Sequence, residues 1–350
     1  MNTTTPDKPI RESGFELLRI VSMLMIVAFH TFRYIDTSGF TPLQMLFYHG
    51  VRWYGLWGVN CFVMISAWFL VGRKTSPQKL KPLLIQTAFY CILLFILHIL
   101  YQCAIGDFHF YRDVVSVELS ALLAPFWTNR YWFITAYVFL YLTIPLLNRL
   151  AQELSPDTYR RSLLIVSACM FLFQTLTQDN QATTLVGDWL WLCYVYFLTA
   201  YLKLYGEQCF IRRHAGFCLL ISYAVFVFSK QLLTYITMNA YVKDILVHTT
   251  GNSMRYSFMM LLLAVELFYL FERLHFKSRA VNTLASYMFG VYLFHENKVF
   301  HICEMLACGT LLPQLSHIPY TGVFMLTLVC ILFVAGVLVD ALRQKFFVRR

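Results

Sequence analysis

Hydrophobic and polar positions in this chain come in blocks rather than in alternation. Apolar runs close to twenty residues long follow one another, separated by short polar segments, which is the pattern of helices that cross a bilayer. The runs fall at 15–34, 51–72, 82–102, 131–148, 162–178, 187–204, 215–236, 253–272, 281–301 and 318–341. Each can span a hydrocarbon core about 30 Å thick as a helix. The pattern predicts an all-α, polytopic membrane protein of about ten transmembrane helices. A single domain over 1–350 is expected, with a polar arm at 1–14 and a basic tail at 342–350. The longest connection, about 103–130, carries a mildly amphipathic stretch suited to the membrane interface. No internal repeat is visible.

Composition agrees. Hydrophobic residues make up 59% of the 350 and charged residues 13%, with a mean hydropathy of +0.60. Soluble domains carry roughly a quarter charged residues. The first apolar run has Glu16 and Arg19 at its start and no small-residue cleavage site, so it reads as a retained span rather than a signal peptide. The ten cysteines are scattered without a CxxC pair, and read as apolar fillers, not as a disulfide frame or a metal site.

The formal net charge of +10 raises the question of nucleic acid, and its distribution answers it. With the N-terminus in the cytoplasm, most basic residues fall on cytoplasmic segments, including Arg73, Lys74, Lys79 and Lys81 after the second run and Arg343, Lys345, Arg349 and Arg350 at the end. The exceptions are Arg33, Arg52, Arg112, Arg130, Lys230, Lys243, Arg255 and Lys298. That bias predicts both termini in the cytoplasm and leaves no reason to expect a nucleic-acid partner.

Polar residues inside the runs carry the chemistry. Arg19 and His30 are eleven residues apart, so on a helix they share a face within roughly 20° and stand about 16 Å apart along the axis. Glu16 lies one turn before Arg19, where the two can pair. Arg19 alone reads as a snorkelling anchor as readily as a functional group. An imidazole is the usual proton acceptor near neutral pH, which makes His30 a candidate base, the plain alternative being a helix-bridging histidine. In the second run Gly55, Gly58, Asn60, Ser66 and Ala67 give a small, polar face for close helix contact. Arg73 and Lys74 beyond it either record the positive-inside bias or hold the phosphates of a cytoplasmic anion. Arg130, Tyr131 and Trp132 look like an interfacial anchor, and Pro145 a kink. In the ninth run Ser286, Gly290, Tyr292 and His295 are spaced to face a neighbour, with Glu296 following.

Four motifs in order resemble the acyltransferase family 3 membrane enzymes. They are Arg19-x10-His30 with an acid three residues before the arginine, CFVMISAWFL, RYWFITAYVFLYLTIPLLN, and SYMFGVYLFH. The family's commoner acid is Asp where this chain has Glu16, and Ala67 follows Ser66 where Gly is usual. The hydrolase-like C-terminal extension of some members is not seen. The resemblance implies an O-acyltransferase of a bacterial inner membrane. It takes acetyl from cytoplasmic acetyl-CoA, a cosubstrate rather than a resident cofactor, and acylates a glycan or lipid-linked saccharide. Membrane lipid is the remaining partner, and no metal is expected.

On that footing His30 and Arg19 are the catalytic candidates, His30 as general base or as an acyl carrier. Arg73, Lys74 and Ser66 are donor-binding candidates, and Glu16, Asn60, Trp132, Tyr292 and His295 support the substrate or the structure. Two rivals stand beside this reading: a polysaccharide or small-molecule exporter, and transfer of succinyl or another acyl group.

Overall fold

The computed structural model describes residues 12–33, 37–115, 131–177, 185–235, 257–297 and 321–347. They form helices throughout: α1 (Gly14–Phe32), α2 (Pro42–Arg52), α3 (Tyr54–Leu70), α4 (Lys81–Ala104), α5 (Trp132–Glu153), α6 (Pro156–Thr177) and α7 (Leu185–Tyr205). There follow the single turn α8 (Phe210–Arg213), then α9 (Ala215–Tyr235), α10 (Phe258–Glu272), α11 (Arg279–Ala285), α12 (Met288–His295) and α13 (Thr321–Phe347).

Six spans among the described residues are long and apolar enough to cross a membrane: Gly14–Phe32, Pro42–Leu70, Pro77–Ala104, Trp132–Glu153, Ala215–Tyr235 and Gly322–Phe347. The chain is therefore a multi-pass membrane protein. Its exterior agrees, because Ile85, Ile92 and Ile96 on α4 and Leu220 and Phe228 on α9 stand exposed. The other four runs expected to span are less simple. α6 starts on the polar PDTYRR segment, and α7 carries Asp188 and Lys203. Over its described length α10 has only 15 residues, and the ninth run is broken. α11 ends at Ala285, α12 starts at Met288, and α12 stops at His295 with Glu296 at its C-cap. The second run is likewise interrupted, at Trp53 between α2 and α3. At Pro145, by contrast, α5 continues without a break.

α1 lies at the centre, packed along α3 and touching α2, α10, α11, α12 and α13. The α1–α3 seam is close because of Gly55 and Gly58. A methyl group at Gly55 would lie 2.4 Å from Phe29 Cβ, and one at Gly58 would lie 2.9 Å from the Ser22 carbonyl oxygen. Asn60 does not share that seam. It is turned about 200° from Gly58, is fully buried, and accepts from Trp191 Nε1 of α7 at 2.8 Å. The expected small-polar face therefore serves two neighbours.

The N-terminal arm ends sooner than expected. Ser13 is buried, its Oγ donates to Asn282 Oδ1 at 2.8 Å, and its N–H donates to Phe276 O at 2.8 Å, tying the start of α1 to the α10–α11 connection. At the other end α13 stays helical to Phe347. Asp340 of α13, fully buried, accepts from Gln86, Tyr90 and Arg343 and packs against Gly290 of α12. The hydrogen bonds tie α4 to α13, and the lack of a side chain at Gly290 lets α12 pack against Asp340.

Candidate active site

His30 lies on the last turn of α1, and α12 ends beside it. His30 Nδ1 and His295 Nε2 are 3.1 Å apart, and His30 Nε2 is 2.8 Å from Glu296 Oε2. His295 Nδ1 is 2.7 Å from the Val291 carbonyl. That carbonyl can only accept, so His295 Nδ1 carries a hydrogen. With that hydrogen on Nδ1, a neutral His295 accepts at Nε2 from His30 Nδ1–H, which leaves His30 Nε2 facing the Glu296 carboxylate. Side-chain exposure is low, 17% for His30 and 16% for Glu296, so the pair is largely shielded from solvent.

The end of α12 is itself fixed. Tyr131 OH donates to the Leu293 carbonyl at 2.8 Å, and Asn297 Nδ2 donates to Tyr131 OH at 2.7 Å. Tyr131 is 1% exposed, so it is a buried support and not the interfacial anchor that its sequence neighbours suggested. Arg130 lies outside the described residues. Trp132 lines the pocket described next.

An almost wholly apolar pocket opens on His30, walled by Phe29, Gly55, Val59, Trp132 and Tyr292 among others. Met23 of α1, Phe62 of α3 and Phe133 of α5 also line it. Four residues further along each helix, toward one end of the bundle, stand Arg19, Ser66 and Tyr137. Ser66 meets the Tyr137 hydroxyl through a side-chain hydrogen bond, and Arg19 lies within electrostatic reach of it. Arg19 Nη1 is 2.6 Å from Glu16 Oε2, the pairing expected from their spacing. Tyr137, Tyr141 and Asn148 then continue along one face of α5 at intervals of four and seven.

Arg73 and Lys74 stand exposed in the turn beyond α3, and the structure does not bring them to His30. Gly55 and Leu70 alone are roughly 22 Å apart along α3. Asn148 fastens that turn, donating to Leu70 O at 3.1 Å and Arg73 O at 3.2 Å while accepting from Tyr196 OH. Lys203 of α7 bonds the Trp68 carbonyl and lies near Arg73. It makes a third cation that the sequence reading did not select.

His30, His295 and Glu296 are also the kind of trio that holds a divalent cation, and their ligand atoms lie within 4.8 Å of one another. As placed, however, Glu296 and His295 bond opposite nitrogens of the same ring. The imidazole stands between them, which is the geometry of a proton relay.

The sequence profile of the acyltransferase 3 family, described as an acyltransferase domain, matches residues 12–339. The chain belongs to the acyltransferase 3 family. It is an acyltransferase, with an acyl donor and an acceptor as its substrates. No curated protein and no solved structure matches it. The match starts at the arm that anchors α1 and ends one residue before Asp340, so it takes in both halves of the His30 cluster.

Of the residues singled out in the sequence of this acyltransferase, His30, Trp132 and Tyr292 line the pocket, His295 backs His30, and Arg19, Ser66 and Glu16 lie a few turns away. Glu296, Tyr131 and Asn297 were missed as site residues. The signal for Glu296 and Asn297 was their position directly after His295. Tyr131 belonged to the RYWF motif, but its role was hidden because its partner is the distant Leu293.

Proposed function

We propose that this acyltransferase moves an acetyl group from cytoplasmic acetyl-CoA to a hydroxyl of a surface or exported polysaccharide, or of its lipid-linked precursor, in a bacterial inner membrane. In this reading ten segments cross the membrane and both termini are cytoplasmic, so α1 carries Arg19 near the inner side and His30 toward the outer side. The observation that carries the proposal is the placement of His30 on a pocket wall with both ring nitrogens engaged, one by His295 and one by Glu296. An imidazole oriented on one side and faced by a carboxylate on the other is equipped to take and return a proton.

Arg73, Lys74 and Lys203 hold the donor's phosphates by charge-assisted bonds, and its reactive arm runs past Tyr137, Ser66 and Arg19 to the pocket. The acceptor hydroxyl donates to His30 Nε2. Its O–H bond breaks toward Nε2 as its oxygen bonds the thioester carbonyl carbon, with Glu296 facing the imidazolium that forms. The C–S bond then breaks, and the proton passes to the departing sulfur, giving ester and free thiol. His295 orients His30, and Trp132 and Tyr292 keep water from the thioester.

Glycan O-acetylation tests this directly, read by NMR or mass spectrometry in cells expressing the wild type, His30→Ala or Arg19→Ala at matched membrane levels. The expected result is loss of one acetyl group in both variants while the glycan still reaches the surface. Persistent acetylation in His30→Ala would remove His30 from the reaction.

A further inference from the structure

Next to the pocket lies a buried cation that the acyl-transfer steps do not use. Arg52 closes α2 and is 8% exposed. Its guanidinium carbon is 4.2 Å from the Phe29 ring centroid and 4.9 Å from that of Trp53. Nη1 donates to the Phe29 carbonyl at 3.3 Å, and Tyr48 bonds the side chain. No carboxylate pairs with it among the described residues. Among the described residues the neighbourhood adds positive charge: Lys230 Nζ stands 5.4 Å from the same Trp53 ring, and Arg33 is close enough to be felt. Burying a guanidinium without a counter-charge is unfavourable, and π faces and neutral acceptors offset only part of that.

Further polar atoms on the same face lack partners. Trp53 Nε1 and His49 Nδ1 are buried without a hydrogen bond among the described residues. Thr234 Oγ1 donates to Lys230 O, so it accepts from His49 Nε2–H at 2.9 Å, which leaves Nδ1 of the neutral ring as an acceptor. His49, Arg52 and Trp53 are three and four residues apart and therefore share one side of the chain.

We propose that Arg52, flanked by Trp53 and Lys230, is a subsite for an acidic group on the acceptor, a phosphate or a carboxylate, which sets the acceptor's hydroxyl against His30. Phe29 is the link: the guanidinium rests on its ring and carbonyl, and His30 is the next residue. The guanidinium fork suits two oxygens of an anion, the indole N–H offers another donor, and His49 Nδ1 can accept from a sugar hydroxyl. This inference rests on the acyl-transfer reading for its substrate, though not for the anion site itself.

The test uses the full chain in nanodiscs of phosphatidylcholine, titrated with dodecyl phosphate, dodecyl glucuronide, dodecyl maltoside and inorganic phosphate. Wild type is expected to bind the two acidic amphiphiles at least tenfold more tightly than the maltoside. In Arg52→Gln that preference falls to within twofold, and Arg52→Lys keeps part of it. Tm of the anion-free Arg52→Gln protein should equal or exceed that of wild type, whereas a purely structural arginine would lower it. Binding of inorganic phosphate as tight as that of the amphiphiles assigns the subsite to a free anion and overturns the acceptor proposal. Equal binding of acidic and neutral amphiphiles by wild type, or a preference surviving in Arg52→Gln, also overturns it. If the preference behaves as expected while no acyl-CoA is consumed with any acceptor, the anion subsite stands and the acyl-transfer reading falls.

Discussion

Replacing Glu296 by Gln keeps the side chain's shape and removes the charge that faces His30. In the structure that charge is 2.8 Å from His30 Nε2, at a site only 16–17% exposed. In the proposed reaction His30 takes the acceptor's proton and becomes an imidazolium whose nearest counter-charge is this carboxylate. A hydrogen bond to a charged group is worth about 1.5–3 kcal/mol, and burial places this one toward the upper end. At about 1.4 kcal/mol per tenfold, kcat of Glu296→Gln should fall roughly ten- to a hundredfold. KM for acyl-CoA should move little, since Arg73, Lys74 and Lys203 lie at the other end of α3. The assay is free-thiol release from acyl-CoA by the purified protein with a saturating acceptor. His30 and Glu296 act as a unit in this scheme, so the His30→Ala/Glu296→Gln double variant should be no slower than His30→Ala alone. A Glu296→Gln enzyme within twofold of wild type would refute the reasoning. So would a double variant in which the two losses multiply.

Three further outcomes follow from the same geometry. Tyr131→Phe removes the bridge between Asn297 and the Leu293 carbonyl. It should lower stability by about 1–3 kcal/mol and slow turnover by displacing Glu296, as read by thermal unfolding and thiol release on one preparation. Gly55→Ala forces Phe29 away from α3 and should cost about 1–3 kcal/mol by overpacking; an unchanged Tm would mean the seam is looser than the 2.4 Å approach implies. A chelator should leave activity unchanged, because the His30 ring separates Glu296 from His295. Inactivation reversed by added zinc would make the trio a metal centre.

How much of this was legible beforehand differs between residues. The shared face of Arg19 and His30 and the Glu16–Arg19 pair depend only on helical spacing within one continuous segment, and both appear in the structure. The closeness of α1 and α3 was written in Gly55 and Gly58, since small residues admit a neighbour wherever it comes from. Which neighbour meets Asn60 was not readable, because two positions along a helix suffice to turn a side chain to another partner. The breaks at Trp53 and at Ser286–Tyr287 were hidden for a different reason. Both lie in segments apolar enough on average to read as one span, and hydropathy registers whether a segment is apolar, not whether its backbone is continuous. Asn148 belonged to a recognised motif, yet its hold on the α3 turn depends on a partner 75 residues away.

The shortness of α12 has a mechanical consequence. Its eight residues are seated against Asp340 at Gly290, and its tip carries His295 and Glu296. From Gly290 to Glu296 the lever arm is about 9 Å, so a tilt of roughly 10° at the seat swings the tip by about 1.6 Å. A displacement near 1 Å can cost a catalytic group about a hundredfold in rate. The carboxylate at the base of the lever, which touches no substrate, therefore sets the tolerance of the whole site, and small changes in α13 should be felt at His30 as lost alignment.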